Sequence, residues 1–421
     1  MSDTDVIVIG AGAAGLSAGV RLAELGVPFR VIEAKDRVGG RAFTERDTFG
    51  MPFDRGCHWL HSASVNPLRV IADRLGFRYE SRTMRRSRHL YLRDRVADEA
   101  TADALWDAVD AAFAAVVAAG EAGRDVAAAE VMDLSGPWTR MARHWMGLLS
   151  SLPPERVSTL DLSRYADTHE NFPVLDGYGA LVAAYGAGVP VSLSTRATRL
   201  DWSGAGVVVE TTAGALRARA AIVTLPTNVL AAGALAFAPT LPAPLEEAFA
   251  GLPCGNAEKI ALQLDRPIDG LEATSYVNAF DPDDVGRAPI NFVANPSGAP
   301  LVVGHVGGDA AAALERAGEA AAVDFALAAL VDAFGSGVRA RVRRTSVTHW
   351  ASDPDIRGAY SCALPGCADY RERLFEPVGE RILFAGEAVS RTAFSTAHGA
   401  HLSGLSAAES AAALLAGATT R

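Results

Sequence analysis

The chain lacks the cysteine pattern of a disulfide framework or a metal centre. Only four of its 421 residues are cysteine (Cys57, Cys254, Cys362 and Cys367), and none forms a Cys-x-x-Cys pair with another. Such few and scattered thiols are typical of a reducing compartment and exclude a cysteine zinc site. We therefore predict free thiols, no bound metal and a cytoplasmic location.

Excess basic charge, a leader segment and long apolar runs are also missing. The formal net charge is −10 at pH 7, which disfavours nucleic acid as a partner and favours cationic ligands. The N-terminus has no basic region or cleavage site of a signal peptide. Charged residues interrupt the Ala-rich segments 108–119 and 310–333, so neither predicts a membrane span. We expect a monomer or homodimer that binds no membrane.

Apolar residues, by contrast, are plentiful. They make up 49% of a chain whose length predicts two or three domains with a large core. The β-branched run Val6 to Ile9 predicts a buried strand. Helical spacing then runs from Leu16 to Leu25 and ends at Gly26, and Phe29 to Glu33 predicts the next strand. This βαβ unit indicates an α/β fold.

Further elements follow along the chain. Residues 80–165 have helical spacing and predict a helical insertion, whereas residues 190–226 alternate as short strands. Further strands are predicted at 259–265, 301–306 and 381–385. One long helical pattern covers 309–334, and a final helix is expected from about 399 to 415.

The turn after the first strand has the spacing of a dinucleotide-binding loop. Gly10, Gly12 and Gly15 form Gly-x-Gly-x-x-Gly between a strand and a helix. The first glycine permits a tight turn, the second a close approach of the backbone to a pyrophosphate, and the third close packing of helix on strand. The helix N-terminus favours phosphate, and Glu33 lies where a carboxylate accepts ribose hydroxyls. This motif alone leaves NAD and FAD as alternatives.

Several later motifs extend the pattern. Val38-Gly39-Gly40-Arg41 follows Glu33, and Arg41 is suited to pair with a phosphate. With it, six further segments resemble the flavoprotein amine oxidase family, above all polyamine oxidases and lysine-specific histone demethylases: Asp54 to His61, Asp176 to Leu181, Thr195 to Leu200, Thr224 to Pro226, Phe384 to Glu387 and Ser395 to Ala400.

The resemblance implies a fold in which two domains interleave. A Rossmann-like FAD-binding domain would comprise residues 1–78, 186–255 and 376–421. A substrate domain of mixed sheet and helices would comprise residues 79–185 and 256–375.

The resemblance also implies which residues contact FAD. They are Gly10, Gly12, Ala14, Gly15, Glu33, Ala34, Gly39, Gly40, Arg41, Trp59, Ala197, Thr224, Trp350, Gly386, Glu387, Thr396 and Ala397. For the indole of Trp350 a place in the core is the favoured alternative. Monoamine oxidases attach FAD to a cysteine immediately before a cage tyrosine. Because Ala359 stands there in this chain, we predict non-covalent FAD.

Four residues are the catalytic candidates. By resemblance, Lys259 would hold a water against flavin N5, and Tyr360 would form one wall of an aromatic cage that orients an amine. Thr396 stands where monoamine oxidases have the second cage tyrosine. His61 resembles a histidine of the polyamine oxidase pocket, with a purely structural histidine as the equal alternative. Glu170 is a further candidate to meet a distal ammonium.

The function these residues imply is amine oxidation with small-molecule amine and O₂ as partners. A neutral amine would pass hydride to the flavin, the imine would hydrolyse, and O₂ would be reduced to H₂O₂. Di- or polyamines are the favoured substrates. A desaturase-like or protoporphyrinogen-oxidase-like oxidoreductase, which shares the N-terminal FAD pattern, is the alternative. A non-catalytic FAD-binding module is a third hypothesis, and its flavin would be reduced by no amine.

Overall fold

The computed structural model describes residues 2–81 and 89–417. Its strands, in chain order β1 to β20, are Val6–Ile9, Phe29–Ile32, Thr44–Glu45, Phe53–Asp54, Trp59–Leu60, His89–Leu92, Arg95–Val96, Phe172–Pro173, Val191–Ser192, Ala197–Asp201, Val207–Thr211, Gly214–Ala218, Ala220–Val223, Ala236–Ala238, Ala257–Leu264, Ser275–Phe280, Ile290–Ala294, Leu301–Gly307, Val342–Val347 and Ile382–Phe384. Its helices, α1 to α13, are Ala13–Glu24, Pro67–Leu75, Glu99–Glu121, Thr139–Ser150, Thr159–Ser163, Tyr178–Tyr185, Thr227–Ala231, Ala243–Gly251, Gly308–Ala317, Glu319–Phe334, Val338–Arg341, Tyr370–Phe375 and Ala397–Gly417.

A five-stranded parallel sheet carries the glycine-rich turn. Its order is β20-β13-β1-β2-β9, so strands from distant parts of the sequence lie side by side. All four residues of β1 are buried, as expected for a strand covered on both faces. Helix α1 packs closely on α13, where a Cβ on Gly404 would lie 2.2 Å from the Ala14 carbonyl oxygen. The two ends of the described chain therefore meet beside the turn.

A second, seven-stranded sheet has the order β19-β15-β18-β17-β16-β6-β7. Because side chains alternate along each strand, one face presents Ile260, Phe292 and Val302 to a core that also contains α10 residues such as Leu330. Lys259 lies on the opposite face. A smaller four-stranded sheet, β12-β11-β10-β14, lies between the segments that supply the first sheet.

The structure corrects three element predictions. The pattern over 309–334 is two helices, because Gly318 has a φ of 91° and ends α9 before α10 begins. The insertion over 80–165 is not wholly helical: β6 and β7 lie within it and join the seven-stranded sheet, while residues 82–88 lie outside the described residues. The last helix begins at Ala397, two residues before the prediction.

The helices of the described ranges include none with both the length and the apolarity needed to cross a lipid bilayer. The two Ala-rich segments considered above fall within α3 and within the α9 and α10 pair. The domain boundaries at 78, 185, 255 and 375 stay predictions, because the strands of the different sheets alternate along the sequence.

Candidate active site

The glycine-rich turn has the geometry of a nucleotide cradle. Gly10 has a φ of 105°, and a Cβ on Gly15 would lie 1.9 Å from the Gly10 carbonyl oxygen. At Gly12, however, an added Cβ would meet only the Gly39 oxygen, at 3.9 Å. Among the described residues, no side chain caps the N-terminus of α1. The free space at Gly12 and the uncapped amides suit a pyrophosphate.

Glu33 closes this turn from the end of β2. Its carboxylate accepts hydrogen bonds from the backbone N–H groups of Ala11 at 2.7 Å and Lys35 at 2.9 Å, and Ala34 lies between in the same turn. Gly39 donates its N–H to the Ala11 carbonyl. The predicted elements of the nucleotide site, Gly10 to Gly15, Glu33 and the Gly39-Gly40 loop, are therefore contiguous.

Arg41 is engaged with Glu387. The Nη1 of Arg41 donates to the Glu387 carboxylate at 2.9 Å and to the Ala359 carbonyl at 2.6 Å. Glu387 also accepts from the Ser361 hydroxyl at 2.6 Å and from the Ser395 N–H at 2.9 Å. Positive charge on Arg41 and these hydrogen bonds outweigh burial, so the pKa of Glu387 is lowered.

Two further predicted cofactor residues, Thr224 and Gly386, lie just beyond β13 and β20 of the parallel sheet that carries the turn. Thr224 donates its hydroxyl to the Ile9 carbonyl at 2.9 Å, and Gly386 donates its N–H to the Ser403 hydroxyl at 2.9 Å. Ala197 begins β10 and is buried. The indole of Trp350 is also buried, 3.4 Å from the position of a Cβ on Gly56. Both alternatives for Trp350, a place in the core and a contact with FAD, stay predictions.

Lys259 is a buried amine held by two carbonyl groups. Its Nζ donates to the backbone oxygens of Asp54 at 2.7 Å and Gly56 at 2.6 Å, and lies 5.8 Å from the centre of the Trp59 ring. Burial lowers its pKa to about 8, although the negative charge of Asp54 opposes this shift. Uncharged, it has two N–H donors, both used, and a lone pair that is free to accept a proton.

Tyr360 and Thr396 are both fixed by hydrogen bonds. The Tyr360 hydroxyl donates to the Leu148 carbonyl on α4. Thr396 caps α13: its hydroxyl donates to the Ala393 carbonyl at 2.6 Å and accepts from the Gly399 N–H at 3.0 Å. Ala397 is the first residue of that helix. A threonine with its hydroxyl so committed presents only its methyl group to a ligand.

His61 and Glu170 lie together near the surface. His61 Nδ1 is hydrogen-bonded to the Asn171 side-chain oxygen at 2.5 Å, and the His61 ring lies 6.2 Å from the Trp59 ring. Burial lowers the pKa of His61. Glu170 accepts from the Ser64 N–H at 3.2 Å. Of the four catalytic candidates, Lys259 lies on a strand and Thr396 caps a helix. Tyr360 and His61 are rings that hydrogen bonds hold in place.

Sequence reasoning missed the role of Asp54. Its carboxylate is hydrogen-bonded to the Thr44 hydroxyl and His58 Nδ1, at 2.5 and 3.0 Å, and to the N–H groups of Tyr178 and Gly179, at 3.0 and 3.2 Å. Burial would raise its pKa, but the hydrogen bond to His58 and the Lys259 charge lower it. Asp54 therefore ties the segment that holds Lys259 to Thr44 and to the start of α6. The one signal in the sequence was its place at the start of the Asp54 to His61 segment.

The buried ion pair of Arg371 and Asp161, next to Glu387, could not be predicted from the sequence. Arg371 binds both carboxylate oxygens of Asp161, at 2.7 and 2.8 Å, and donates to the Ser361 hydroxyl at 3.0 Å. Because Asp161 and Arg371 are 210 positions apart, no local pattern relates them. Their hydrogen bonds orient the hydroxyl that reaches Glu387.

Comparison with known proteins decides the family. The model of the flavin containing amine oxidoreductases matches residues 13–412. The chain belongs to this family. Probable polyamine oxidase 4 of Arabidopsis thaliana is 29% identical over 439 residues, with 96% of this chain and 86% of the relative covered. Lysine-specific histone demethylase 2 of Homo sapiens is 27% identical over 438 residues, and the chain spans 53% of its length.

Solved amine oxidases share the fold. Cyclohexylamine oxidase from Brevibacterium oxydans IH-35A superposes with a TM-score of 0.79 at 22% identity, over 98% of this chain and 100% of that one. A putrescine oxidase double mutant redesigned in its cofactor binding also superposes with a TM-score of 0.79. Its sequence identity is 20%, and the superposition covers 98% of this chain and 99% of that one. The α/β architecture predicted from the βαβ unit is confirmed.

As a flavin-containing amine oxidoreductase, the protein is an enzyme that acts on amines with a flavin cofactor. The residues present fit such a group. The uncapped α1 N-terminus and the open space at Gly12 would take the pyrophosphate, and Glu33 would face the ribose. The expectation of an oxidoreductase is confirmed, and the roles of the individual residues stay predictions.

Proposed function

We propose that this protein is an FAD-dependent oxidase of primary or secondary amines, with di- or polyamines as the favoured substrates. The amine, O₂ and H₂O give an aldehyde, the released amine or ammonia, and H₂O₂. The observation that carries the proposal is Lys259, a buried amine with a pKa of about 8 beside Trp59. Such a group is suited to hold a water or a proton at neutral pH.

The chain's own residues would bind and orient the reactants. Bound FAD would supply the two-electron oxidation, with N5 as the hydride acceptor and O₂ as the final oxidant. Tyr360, held by the Leu148 carbonyl, would offer a rigid ring face to the amine. Lys259 would hold a water through its lone pair. The N-terminus of α13, capped by Thr396, would place partial positive charge beside the flavin ring.

Di- and polyamines are favoured by two observations. Relatives at 29% identity are polyamine oxidases. In addition, Asp167 and Glu170 lie on the surface segment next to His61 and Asn171, where their carboxylates could meet an ammonium at the outer end of a long substrate. A desaturase-like reaction would use neither Lys259 nor these acids.

The deciding experiment is anaerobic mixing of the holoenzyme with butylamine, benzylamine, 1,4-diaminobutane and spermidine. We expect at least one amine to bleach the oxidised flavin band at about 450 nm, with H₂O₂ formed once air is admitted. The polyamine preference predicts that 1,4-diaminobutane or spermidine reacts fastest. A flavin that none of the four reduces would contradict amine oxidation and favour the desaturase-like alternative.

FAD is proposed to be held non-covalently. Ala359 precedes Tyr360, and Cys362, two residues beyond it, is buried with its Sγ directed at the Ala363 carbonyl. Burial raises the pKa of this thiol, so little of the reactive thiolate forms. Acid precipitation is therefore expected to release the yellow colour entirely into the supernatant. Flavin retained in the washed pellet would show a covalent bond.

A further inference from the structure

A row of four polar side chains crosses the seven-stranded sheet on one face. Lys259 on β15 is directly opposite His305 on β18, His305 is opposite Asn291 on β17, and Asn291 is opposite Asn278 on β16. Directly paired residues point to the same side of a sheet. The row therefore extends away from Lys259, on the face that does not meet α10.

His305 is the unusual member of this row. Its side chain is 6% exposed, yet neither ring nitrogen has a hydrogen-bond partner among the described residues. The backbone of Asn291 and Val303 lies near enough to favour a proton on the ring, without a hydrogen bond of good geometry. Buried polar atoms normally have partners, so the ring of His305 has hydrogen-bonding capacity that a bound ligand can use.

The surroundings of His305 identify the side on which that ligand would lie. Its ring centre is 5.4 Å from that of Trp59, whose ring is in turn near Lys259 Nζ. Two residues further along β18, a Cβ on Gly307 would lie 2.3 Å from the Gly147 carbonyl oxygen of α4, the helix that anchors Tyr360. His305 thus lies between Lys259, Trp59 and the helix that holds the Tyr360 ring.

The row also determines the charge of the group it can accept. Burial and the neighbouring charges of Lys259 and His58 keep the pKa of His305 well below its usual value, so the ring is neutral. Asn278 and Asn291 carry no charge, and the row contains no carboxylate. A neutral ring always has one acceptor nitrogen. An ammonium here would find no carboxylate within the row, and a protonated Lys259 beside it would repel it.

We propose that His305 accepts a hydrogen bond from the N–H of the uncharged substrate amine and so positions that amine beside Lys259 and Trp59. The proposal rests on the proposed amine oxidation and adds a substrate-binding residue to it. Asn278, whose Nδ2 likewise has no partner in the described part of the chain, extends the same polar wall.

The test compares His305→Phe with His305→Gln in the anaerobic reaction with the four amines named above. Phenylalanine keeps the ring contact with Trp59 but has no nitrogen, whereas glutamine restores an acceptor. We expect His305→Phe to raise the dissociation constant of the reacting amine by about 10-fold, as for loss of one hydrogen bond. The limiting rate of flavin reduction should change by less than about 3-fold, and His305→Gln should recover most of the affinity.

Controls separate this from a packing effect. Val303→Ala, two residues away on the same strand and face, should leave amine affinity unchanged. If His305→Phe loads no flavin, His305→Leu takes its place in the same comparison. Two results would overturn the role of His305 while leaving the proposed function intact. One is an unchanged amine affinity in the variant that loads flavin, and the other is an equal loss of affinity in the Phe and Gln variants. A wild-type flavin that no amine reduces would instead overturn the proposed function.

Discussion

Gly12→Ala is expected to weaken FAD binding by at least about 100-fold, because the added methyl group takes the space into which the pyrophosphate must come. Gly12 is the informative glycine of the three. Its φ of −75° and ψ of −172° suit alanine, and the new Cβ would be 3.9 Å from its nearest protein atom. The fold should therefore survive. Titration of the apoprotein with FAD, followed by flavin fluorescence, measures the loss.

Substitutions at the neighbouring glycines cannot separate a loss of FAD binding from a loss of the fold. A Cβ on Gly15 would collide with the Gly10 carbonyl, and Gly10 itself has a positive φ, so either change would disrupt the turn. Gly188→Ala is the matched control, since its Cβ would meet no atom within 4 Å and it precedes β9 of the same sheet. Wild-type FAD affinity in Gly12→Ala would show that the cofactor lies elsewhere.

Lys259→Met is expected to slow amine oxidation by about 100-fold or more, the usual contribution of a positioned acid or base. Methionine has a similar length but no nitrogen to hold a water or proton. Because burial lowers the pKa of Lys259 to about 8, the lysine is uncharged above that pH. The wild-type rate should rise with pH through about 8, and this ionisation should be absent from the variant.

The pH comparison needs its own controls. Asp54, Cys57 and His305 interact with the charge of Lys259, and His58 is hydrogen-bonded to Asp54. The substrate amine also loses a proton as pH rises. The substrate ionisation is common to wild type and variant, so an ionisation near pH 8 that only the wild type shows belongs to Lys259. Gln263→Met, on the same face of β15 and with a side chain that donates to the Phe49 carbonyl at 3.1 Å, should keep the wild-type rate. An unchanged rate in Lys259→Met would contradict the assignment.

Much of the cofactor site could be predicted because it is local. The turn from Gly10 to Gly15 and the carboxylate of Glu33 lie within one βαβ unit, where strand, turn and helix preferences are decided by near neighbours in sequence. The same reasoning failed at Gly318, where helical spacing continues across a residue with a φ of 91°. It failed also at His89–Leu92, which is a strand through its pairing with β16.

The sequence by itself therefore determined the glycine-rich turn after β1, the α/β class and the family, since each rests on short motifs with fixed spacing. Only the tertiary structure decided the state of the reactive groups. Lys259 meets the Asp54 carbonyl from 205 positions away in the sequence, and Arg41 meets Glu387 across 346 positions. His305, beside Trp59, has no hydrogen-bond partner in the described ranges. Burial and neighbouring charge fix a pKa or an unsatisfied hydrogen bond, and both are properties of segments that only folding brings together.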